Sequence, residues 1–264
     1  MDPATLLRHS LSVQMRSIRA STGHRCLRPR SLRLRQPISR CIATTSNPPH
    51  NGQSPQSDPA ARSEASSAPK KPRMILTKEQ RDFLEGALRV NQAGEVAATL
   101  IYAAQTPPVT RSHPHLRPLM KHMYDQEAGH LDTFNHLVAK HRVRPTAMYP
   151  IWHIAASFLG WSTGVMGREA AMACTEAVET EIGTHYNDQI RVMLDWFADA
   201  EAKGEQVDPE LKEMVVTLKR IRDEELEHLD HAVENDAKEA RPYDPLVNVI
   251  RLGCRAAIQV SQRV

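Results

Sequence analysis

The sequence predicts an all-α protein whose folded part is an antiparallel four-helix bundle. Stretches with helical periodicity cover about 77–105, 115–141, 166–202 and 209–239, and no stretch shows the sustained β-branched alternation of strands. The connections between these stretches are mostly short, which favours antiparallel packing of successive helices. In addition, the second and fourth stretches contain nearly the same eight residues. These three observations together point to a bundle built by duplication.

The first 45 of the 264 residues form a basic leader. They carry nine arginines, no lysine and one acidic residue, whereas the whole chain has 34 basic and 31 acidic side chains, so the remainder is mildly acidic. Arginines dispersed among Leu, Ser and Ile in an acid-poor segment are typical of a mitochondrial transit peptide. The alternative is a disordered basic arm that binds nucleic acid or anionic lipid. Because the basic excess ends with the leader, we expect no nucleic-acid partner for the folded domain.

Residues 46–73 are predicted to be a disordered linker, and residues 74–264 the folded domain. The linker is rich in Pro, Ser and Ala and has too few large apolar side chains to offset its ordering entropy. Thr77 is the expected N-cap of the first helix, with Gln80 completing a capping box. The breaks between helices are "TPPVTRSHP", "VRPTAMYP" and "KGEQVDP". The four cysteines lack the spacing of a disulfide framework or a zinc site.

The repeated motif is "DQEAGHLD" at 125–132 and "DEELEHLD" at 223–230, with five of eight letters identical. Each copy has a glutamate followed three residues later by a histidine. The first and third helices match each other as well, because each has a glutamate, a tyrosine seven residues on and a glutamine ten residues on. These residues are Glu95, Tyr102 and Gln105 in one helix, and Glu179, Tyr186 and Gln189 in the other. We interpret the pattern as a duplicated two-helix hairpin that closes into a pseudo-symmetric bundle.

The repeated glutamates and histidines predict a dinuclear metal site. The Glu and His of each Glu-x-x-His lie about 60° apart on one helix face, and the other two helices each add one glutamate. Four carboxylates balance two divalent cations and, with two imidazoles, form the donor set of a carboxylate-bridged site. A single Glu-x-x-His is more often a solvated helix surface, so the prediction depends on the recurrence. The candidate ligands are Glu95, Glu127, His130, Glu179, Glu225 and His228.

The neighbours of these ligands divide into two groups. The flanking aspartates point away from the ligand face and are expected to be solvated or salt-bridged, not to bind metal; they are Asp125, Asp132, Asp223 and Asp230. Gln126 and Glu224, one residue before the motif glutamates, are better placed to hold the ligands from outside. A carboxylate and imidazole shell without thiolate suits iron or manganese better than copper or structural zinc.

Four segments resemble the demethoxyubiquinone hydroxylases of the mitochondrial ubiquinone pathway: "RVNQAGEVAA", "DQEAGHLDTFN", "ACTEAVETEIGTHYNDQI" and "RDEELEHLDHA". The resemblance runs from about residue 77 to the C-terminus. It implies a ferritin-like di-iron monooxygenase that uses O₂ to hydroxylate the ring of a polyprenylated demethoxy-benzoquinol. One departure lies at Glu95-Val96-Ala97-Ala98, where the family usually has a glycine, although small residues are retained.

The resemblance also implies roles for individual residues. One iron is bound by Glu95, Glu127 and His130, and the other by Glu179, Glu225 and His228, with Glu127 and Glu225 shared. His185 and Tyr186 match a pair that the family places beside the metals, with a suggested part in electron delivery; the alternative is ordinary packing. The implied electron donor is NADH, although the sequence has no GxGxxG fingerprint. The implied partner is a lipid-binding quinone-biosynthesis protein within a larger assembly.

Two segments are candidates for additional membrane-contacting helices. Residues 145–167 contain no Asp, Glu, Lys or Arg and include Trp152 and Trp161, but Pro150 and several glycines argue against a transmembrane helix. The C-terminal "PLVNVIRLGCRAAIQVSQRV" is apolar at helical spacing. We therefore expect peripheral attachment to the matrix side of the inner mitochondrial membrane. The alternative for both segments is extra core or a partner-docking helix.

Three other functions share this donor set or bundle. An iron-storage or ferroxidase protein would use the same ligands without needing an apolar entry surface. Manganese catalase-like chemistry is a weaker option. A non-enzymatic scaffold that handles quinone intermediates would keep its function when the ligands are mutated.

Overall fold

The computed structural model describes residues 72–264. This part of the chain forms six α-helices and two short 3₁₀ turns, at Pro114–Leu116 and Ala237–Glu239. The helices are α1 Lys78–Ser112, α2 Arg117–His141, α3 Tyr149–Met166, α4 Arg168–Ala202, α5 Pro209–Glu234 and α6 Tyr243–Ser261. No strand occurs within 72–264, where Arg73 and Gln206 form one isolated bridge. The predicted all-α class is confirmed, whereas the transit peptide and most of the linker lie outside the described residues.

The buried side chains show how the four bundle helices are arranged. One apolar cluster contains Met120 and Met123 of α2 with Ala232 of α5, and a second contains Phe134 of α2 with Ile221 of α5. Helix α2 therefore runs from the first cluster to the second, and α5 runs the opposite way. Helix α1 likewise runs antiparallel to α4. The predicted antiparallel bundle is thus confirmed, and the motif residues occupy the layer between the two clusters.

The remaining two helices follow the order of the duplication. Helix α3 comes after the first hairpin and packs on α1, and α6 comes after the second hairpin and packs on α4. Trp152 of α3 donates a hydrogen bond from Nε1 to Ser261 Oγ at the end of α6, at 2.9 Å. Both helices therefore lie on the α1–α4 side of the bundle, and within residues 72–264 no helix covers the α2–α5 side.

The first helix begins where the sequence predicts and ends later. Gln80 donates its backbone N–H to Thr77 Oγ1 at 3.2 Å, and Thr77 donates its own to Gln80 Oε1 at 2.9 Å, so the capping box is present. The predicted end near residue 105 was wrong, because α1 continues through Pro107 and Pro108 to Ser112. Prolines weaken a helix by removing N–H donors, but burial of the next turn against neighbouring helices outweighs this loss.

The glycines of the apolar segment permit close packing and do not break the helix. Residues 149–166 form one continuous helix, with Pro150 in its first turn, where a missing N–H costs little. A Cβ on Gly160 would lie 2.8 Å from Cα of Ile101 and closer still to its carbonyl oxygen. A Cβ on Gly164 would lie 2.8 Å from Cγ of Pro108. The backbone of α3 therefore lies directly against α1.

Replacing Gly160 by alanine should push α3 away from α1. We expect the free energy of unfolding to fall by about 1–3 kcal/mol, the usual cost of overpacking, in urea titrations followed by circular dichroism. Gly129→Ala is the matched control, since a Cβ at that exposed helical position meets nothing within 4 Å. Alanine is favoured over glycine in helices by about 1 kcal/mol, so this control should be neutral or stabilising. Equal losses in both variants would contradict the close α1–α3 contact.

Candidate metal centre

The six predicted ligands meet in one buried layer of the bundle. Each is at most 2% exposed, although charged side chains are almost never fully buried without partners. Their potential ligand atoms form two groups of four, and within each group the atoms lie within 4.8 Å of one another. One group is Glu95, Glu127, His130 and Glu225, and the other is Glu127, Glu179, Glu225 and His228. The two groups share Glu127 and Glu225, the glutamates of the repeated motif.

The polar atoms that face this layer have no hydrogen-bond partners within the described part of the chain, residues 72–264. Both carboxylate oxygens of Glu127 and of Glu225 are buried and unpaired. The other four residues each leave one atom unpaired: Glu95 Oε2, Glu179 Oε2, His130 Nδ1 and His228 Nδ1. Some of these atoms lie close to one another, but the angles between them do not allow a hydrogen bond. For example, His130 Nδ1 is 3.0 Å from Glu225 Oε1. One unpaired buried group costs about 1–3 kcal/mol, so eight converging ones fit a pair of metal ions.

The outward-facing nitrogens of the two histidines contact other side chains. His130 Nε2 lies 2.6 Å from Glu224 Oε2, and His228 Nε2 lies 3.0 Å from Gln126 Oε1. The predicted placement of Gln126 and Glu224 behind the histidines is confirmed. Glu224 also accepts a hydrogen bond from Arg220 Nη1 at 2.7 Å. These contacts orient each imidazole so that Nδ1 faces the centre, and they give the other ring nitrogen the kind of partner that usually supports a metal-binding histidine.

Two tyrosines each form a hydrogen bond with a candidate ligand in the other half of the duplication. Tyr102 donates its hydroxyl hydrogen bond to Glu179 Oε1 at 3.0 Å, and Tyr186 donates to Glu95 Oε1. Each tyrosine therefore holds the glutamate of the opposite repeat. Burial raises the pKa of both phenols well above its usual value, and the nearby carboxylates raise it further. Both tyrosines consequently remain protonated donors at neutral pH.

The two glutamines of the repeat do not have equivalent surroundings. Gln189 exchanges two hydrogen bonds with Asn91, at 2.7 and 2.9 Å. Gln105 instead donates to Thr163 Oγ1 of α3 at 3.0 Å. Asn91 was missed in the sequence because it has no counterpart in the repeat, where Thr175 stands at the matching position.

The charges of the centre are strongly coupled. Burial raises the pKa values of Glu127 and Glu179 well above the usual carboxyl range, and the charge of Glu225 adds to this. For Glu225 burial opposes ionisation, but contacts with His130 and His228 outweigh it and hold the pKa at about 2. Burial also opposes the charge of His130, yet Glu225 and Glu95 raise its pKa to about 11. Without metal the centre therefore retains protons, and metal ions would displace them.

The two residues of the predicted pair, His185 and Tyr186, lie in different environments. Tyr186 is buried and holds Glu95, as described above. His185 lies in the wall of a cavity, and its Nε2 has no hydrogen-bond partner among the described residues. Burial lowers the pKa of His185 to about 4, so the imidazole is neutral at pH 7. The catalytic role of the pair stays a prediction.

An apolar cavity of about 350 Å³ lies beside the centre, between α1, α3, α4 and α6. Its few polar wall residues include Asn91, Glu95, His185 and Tyr186, and the rest is mainly aliphatic. Glu95 and Tyr186 belong to the cavity wall and to the centre at once. Sequence analysis did not identify this cavity, because its lining comes from four helices.

The outer surface of α3 and α6 is apolar. Large side chains are exposed along both helices: Ile151, Ile154, Phe158, Trp161 and Val165 on α3, and Val249 and Leu252 on α6. Among residues 72–264, none of the helices has the length and apolarity needed to cross a bilayer. An exposed apolar surface of this kind usually marks contact with a membrane or another protein.

Comparison with known proteins yields a consistent set of relatives. Residues 82–261 match the family described as Ubiquinone biosynthesis protein COQ7. The chain is 43% identical over 190 residues to 5-demethoxyubiquinone hydroxylase, mitochondrial, of Saccharomyces cerevisiae, covering 72% of this chain and 82% of that protein. It is 40% identical over 192 residues to NADPH-dependent 3-demethoxyubiquinone 3-hydroxylase, mitochondrial, of Homo sapiens, with the same coverage. It is 39% identical over 182 residues to 3-demethoxyubiquinol 3-hydroxylase of Rhodospirillum rubrum, covering 69% and 79%.

Replacing Glu224 by glutamine should weaken metal retention at His130. Without the carboxylate the imidazole is less basic and its orientation is less restricted. Such changes lower metal affinity roughly 10–100-fold. The measurement is the release of ferrous ions to a chelator from the anaerobically loaded chain. Asp223→Asn is the control, since Asp223 is exposed and bonds Arg222 instead. Equal release from wild type and Glu224→Gln would show that the carboxylate does not support a ligand.

Proposed function

The chain belongs to the family of ubiquinone biosynthesis protein COQ7, and from that premise we propose that it hydroxylates the ring of a polyprenylated demethoxyubiquinol with O₂. It is an enzyme of ubiquinone biosynthesis, as its hydroxylase relatives at about 40% identity indicate. The observation that carries the proposal is the shared wall between the buried centre and the apolar cavity. A lipid-like ring in this cavity would lie directly against the candidate ligands.

The metal assignment of this proposal is two iron ions. Glu95, Glu127 and His130 would hold one, and Glu179, Glu225 and His228 would hold the other, with Glu127 and Glu225 available to both. The unpaired inward atoms and the mixed carboxylate and imidazole donors support this assignment. Bound ferrous ions would supply the electrons that reduce O₂. The protein keeps the ligands in place through Tyr102, Tyr186, Gln126 and Glu224.

The overall reaction requires an external reductant. One oxygen atom of O₂ replaces the hydrogen of a ring C–H bond as a hydroxyl group, and the other leaves as water, which consumes two electrons and two protons. The family resemblance implied NADH as the donor, whereas several relatives are named NADPH-dependent. We propose a reduced nicotinamide nucleotide, with the choice between the two to be made by comparing turnover with each.

The cavity residues have distinct parts in substrate binding. Aliphatic walls from four helices receive the ring and the start of its isoprenoid tail and exclude bulk water. The neutral imidazole of His185 offers Nε2 for a hydrogen bond to a quinol oxygen. Tyr186 keeps its proton and holds Glu95 Oε1, so that Oε2 stays directed at the centre.

The proposed location is the mitochondrion, as for relatives named mitochondrial, with peripheral attachment to the matrix side of the inner membrane. The apolar outer surface of α3 and α6 supports membrane contact beside the cavity, and a tail leaving the cavity would enter lipid without crossing water. A lipid-binding protein of the same pathway stays the predicted partner.

Glu225→Ala should abolish hydroxylation and iron binding together. Glu225 is in both ligand groups, so we expect two irons per wild-type chain, loss of iron in the variant, and no product above the metal-free protein. Product is measured by mass spectrometry with a demethoxyubiquinol substrate, and helical content by circular dichroism should be retained.

Asp223→Asn is the control and should behave as wild type. Unchanged turnover in Glu225→Ala would overturn the proposal in favour of a scaffold without metal chemistry. Many irons per wild-type chain would instead indicate storage.

Membrane attachment is tested by making the outer surface of α3 polar. Ile154 and Phe158 are 71% and 64% exposed, and burial of one large apolar side chain is worth about 1.5–3 kcal/mol. The double variant Ile154→Ser, Phe158→Ser should bind vesicles with cardiolipin at least about tenfold more weakly in sedimentation assays. Val216→Ser, at a 66% exposed position on α5, should bind as wild type. Equal weakening in both variants would remove the argument for this surface.

A further inference from the structure

A second group of metal-ligand side chains lies outside the buried centre, on the α2–α5 side of the bundle. It consists of His122 of α2 with Glu227 and His231 of α5, and one potential ligand atom from each lies within 4.8 Å of the others. His122 and Glu227 are exposed and His231 is partly buried. None of the three is among the six buried residues or lines the apolar cavity.

The geometry resembles a binding site that is already partly oriented. Glu227 and His231 are four residues apart, which places them on one face of α5. The ring of His231 has a carboxylate near each nitrogen, with Nε2 3.7 Å from Glu227 Oε1 and Nδ1 3.7 Å from Glu234 Oε2. A carboxylate on the nitrogen that does not bind metal is the usual support of a histidine ligand. The rings of His122 and His231 lie edge to face, with centroids 6.4 Å apart.

The cluster is not a by-product of the internal duplication. The two motif helices are related by 98 positions, so Glu227 and His231 correspond to Gly129 and Thr133, and His122 corresponds to Arg220. The opposite half of the molecule therefore has no donor at any of the three positions. The three surface donors therefore do not recur in the duplication, whereas the buried glutamates and histidines occur in both halves.

The position of the cluster relates it to the buried centre. His122 lies one helical turn before Gln126, whose side chain contacts His228, and Glu227 directly precedes His228 in α5. The centre is flanked on its other side by an apolar cavity. The cluster and the cavity thus lie on opposite sides of the centre.

We propose that His122, Glu227 and His231 bind one divalent transition-metal ion at the surface, through two imidazoles and one carboxylate. Imidazole donors select zinc, iron, cobalt, nickel and copper over magnesium and calcium. Because His122 and Glu227 are exposed, their side chains can rotate to close the remaining distance. The site is separate from the buried centre and does not depend on the proposed hydroxylation.

The test is Zn²⁺ binding to the full-length, iron-loaded chain, measured by equilibrium dialysis with both metals counted in the same sample. Wild type should bind one more Zn²⁺ than the double variant His122→Ala, His231→Ala, or bind it at least about tenfold more tightly, since even supporting residues of metal ligands contribute that much. Glu227→Gln removes the carboxylate with little change in shape and should weaken binding in the same direction.

His136→Ala is the matched control. His136 is also an exposed histidine of α2 with a carboxylate four residues away, at 3.5 Å from Asp132 Oδ1, but it is in no group of three donors. It should bind Zn²⁺ as wild type does. Equal Zn²⁺ binding by wild type, the double variant and Glu227→Gln would overturn the proposal. If the buried centre holds no iron, the iron count reveals that separately, and the difference in Zn²⁺ between variants still reports on the surface site.

Discussion

The burial of four carboxylates and two imidazoles in one layer is the constraint on which the rest of the structure depends. Charged groups are costly inside a protein unless they are paired or bind metal. Here eight inward atoms have no hydrogen-bond partner within residues 72–264, and burial raises the pKa values of Glu127 and Glu179, so we expect the metal-free layer to keep protons that offset its charge. Metal ions bound between these donors would offset that charge, and the surrounding protein keeps the donor atoms directed into one layer.

That arrangement uses two apolar clusters and a ring of hydrogen bonds. The clusters above and below the layer fix the four helices, and Phe134 stacks on Tyr186 with ring centroids 6.0 Å apart. The hydrogen bonds of Tyr102 and Tyr186 connect α1 with α4 across the centre. Since each half of the duplication holds a ligand of the other, neither hairpin can complete the centre alone.

The bundle is nearly symmetric in its ligands and asymmetric in its surroundings. Helices α3 and α6 cover the α1–α4 side and enclose an apolar cavity, while the α2–α5 side carries polar and charged groups. The apolar cavity and the cluster of His122, Glu227 and His231 thus lie on opposite sides of the same centre. The hydrogen-bond partners of the two histidines differ too, because a carboxylate supports His130 and an amide supports His228.

The sequence by itself determined the helical class, the capping box at Thr77, and which side chains share the inner face of each helix. Periodicity was enough for this, because residues three and four apart on a helix have a fixed angular relation. Only the tertiary structure decided which tyrosine holds which glutamate, that α1 continues past Pro107, and that four helices enclose a cavity beside Glu95. These features depend on the register and contact between helices far apart in the chain, and a helical period carries no information about either.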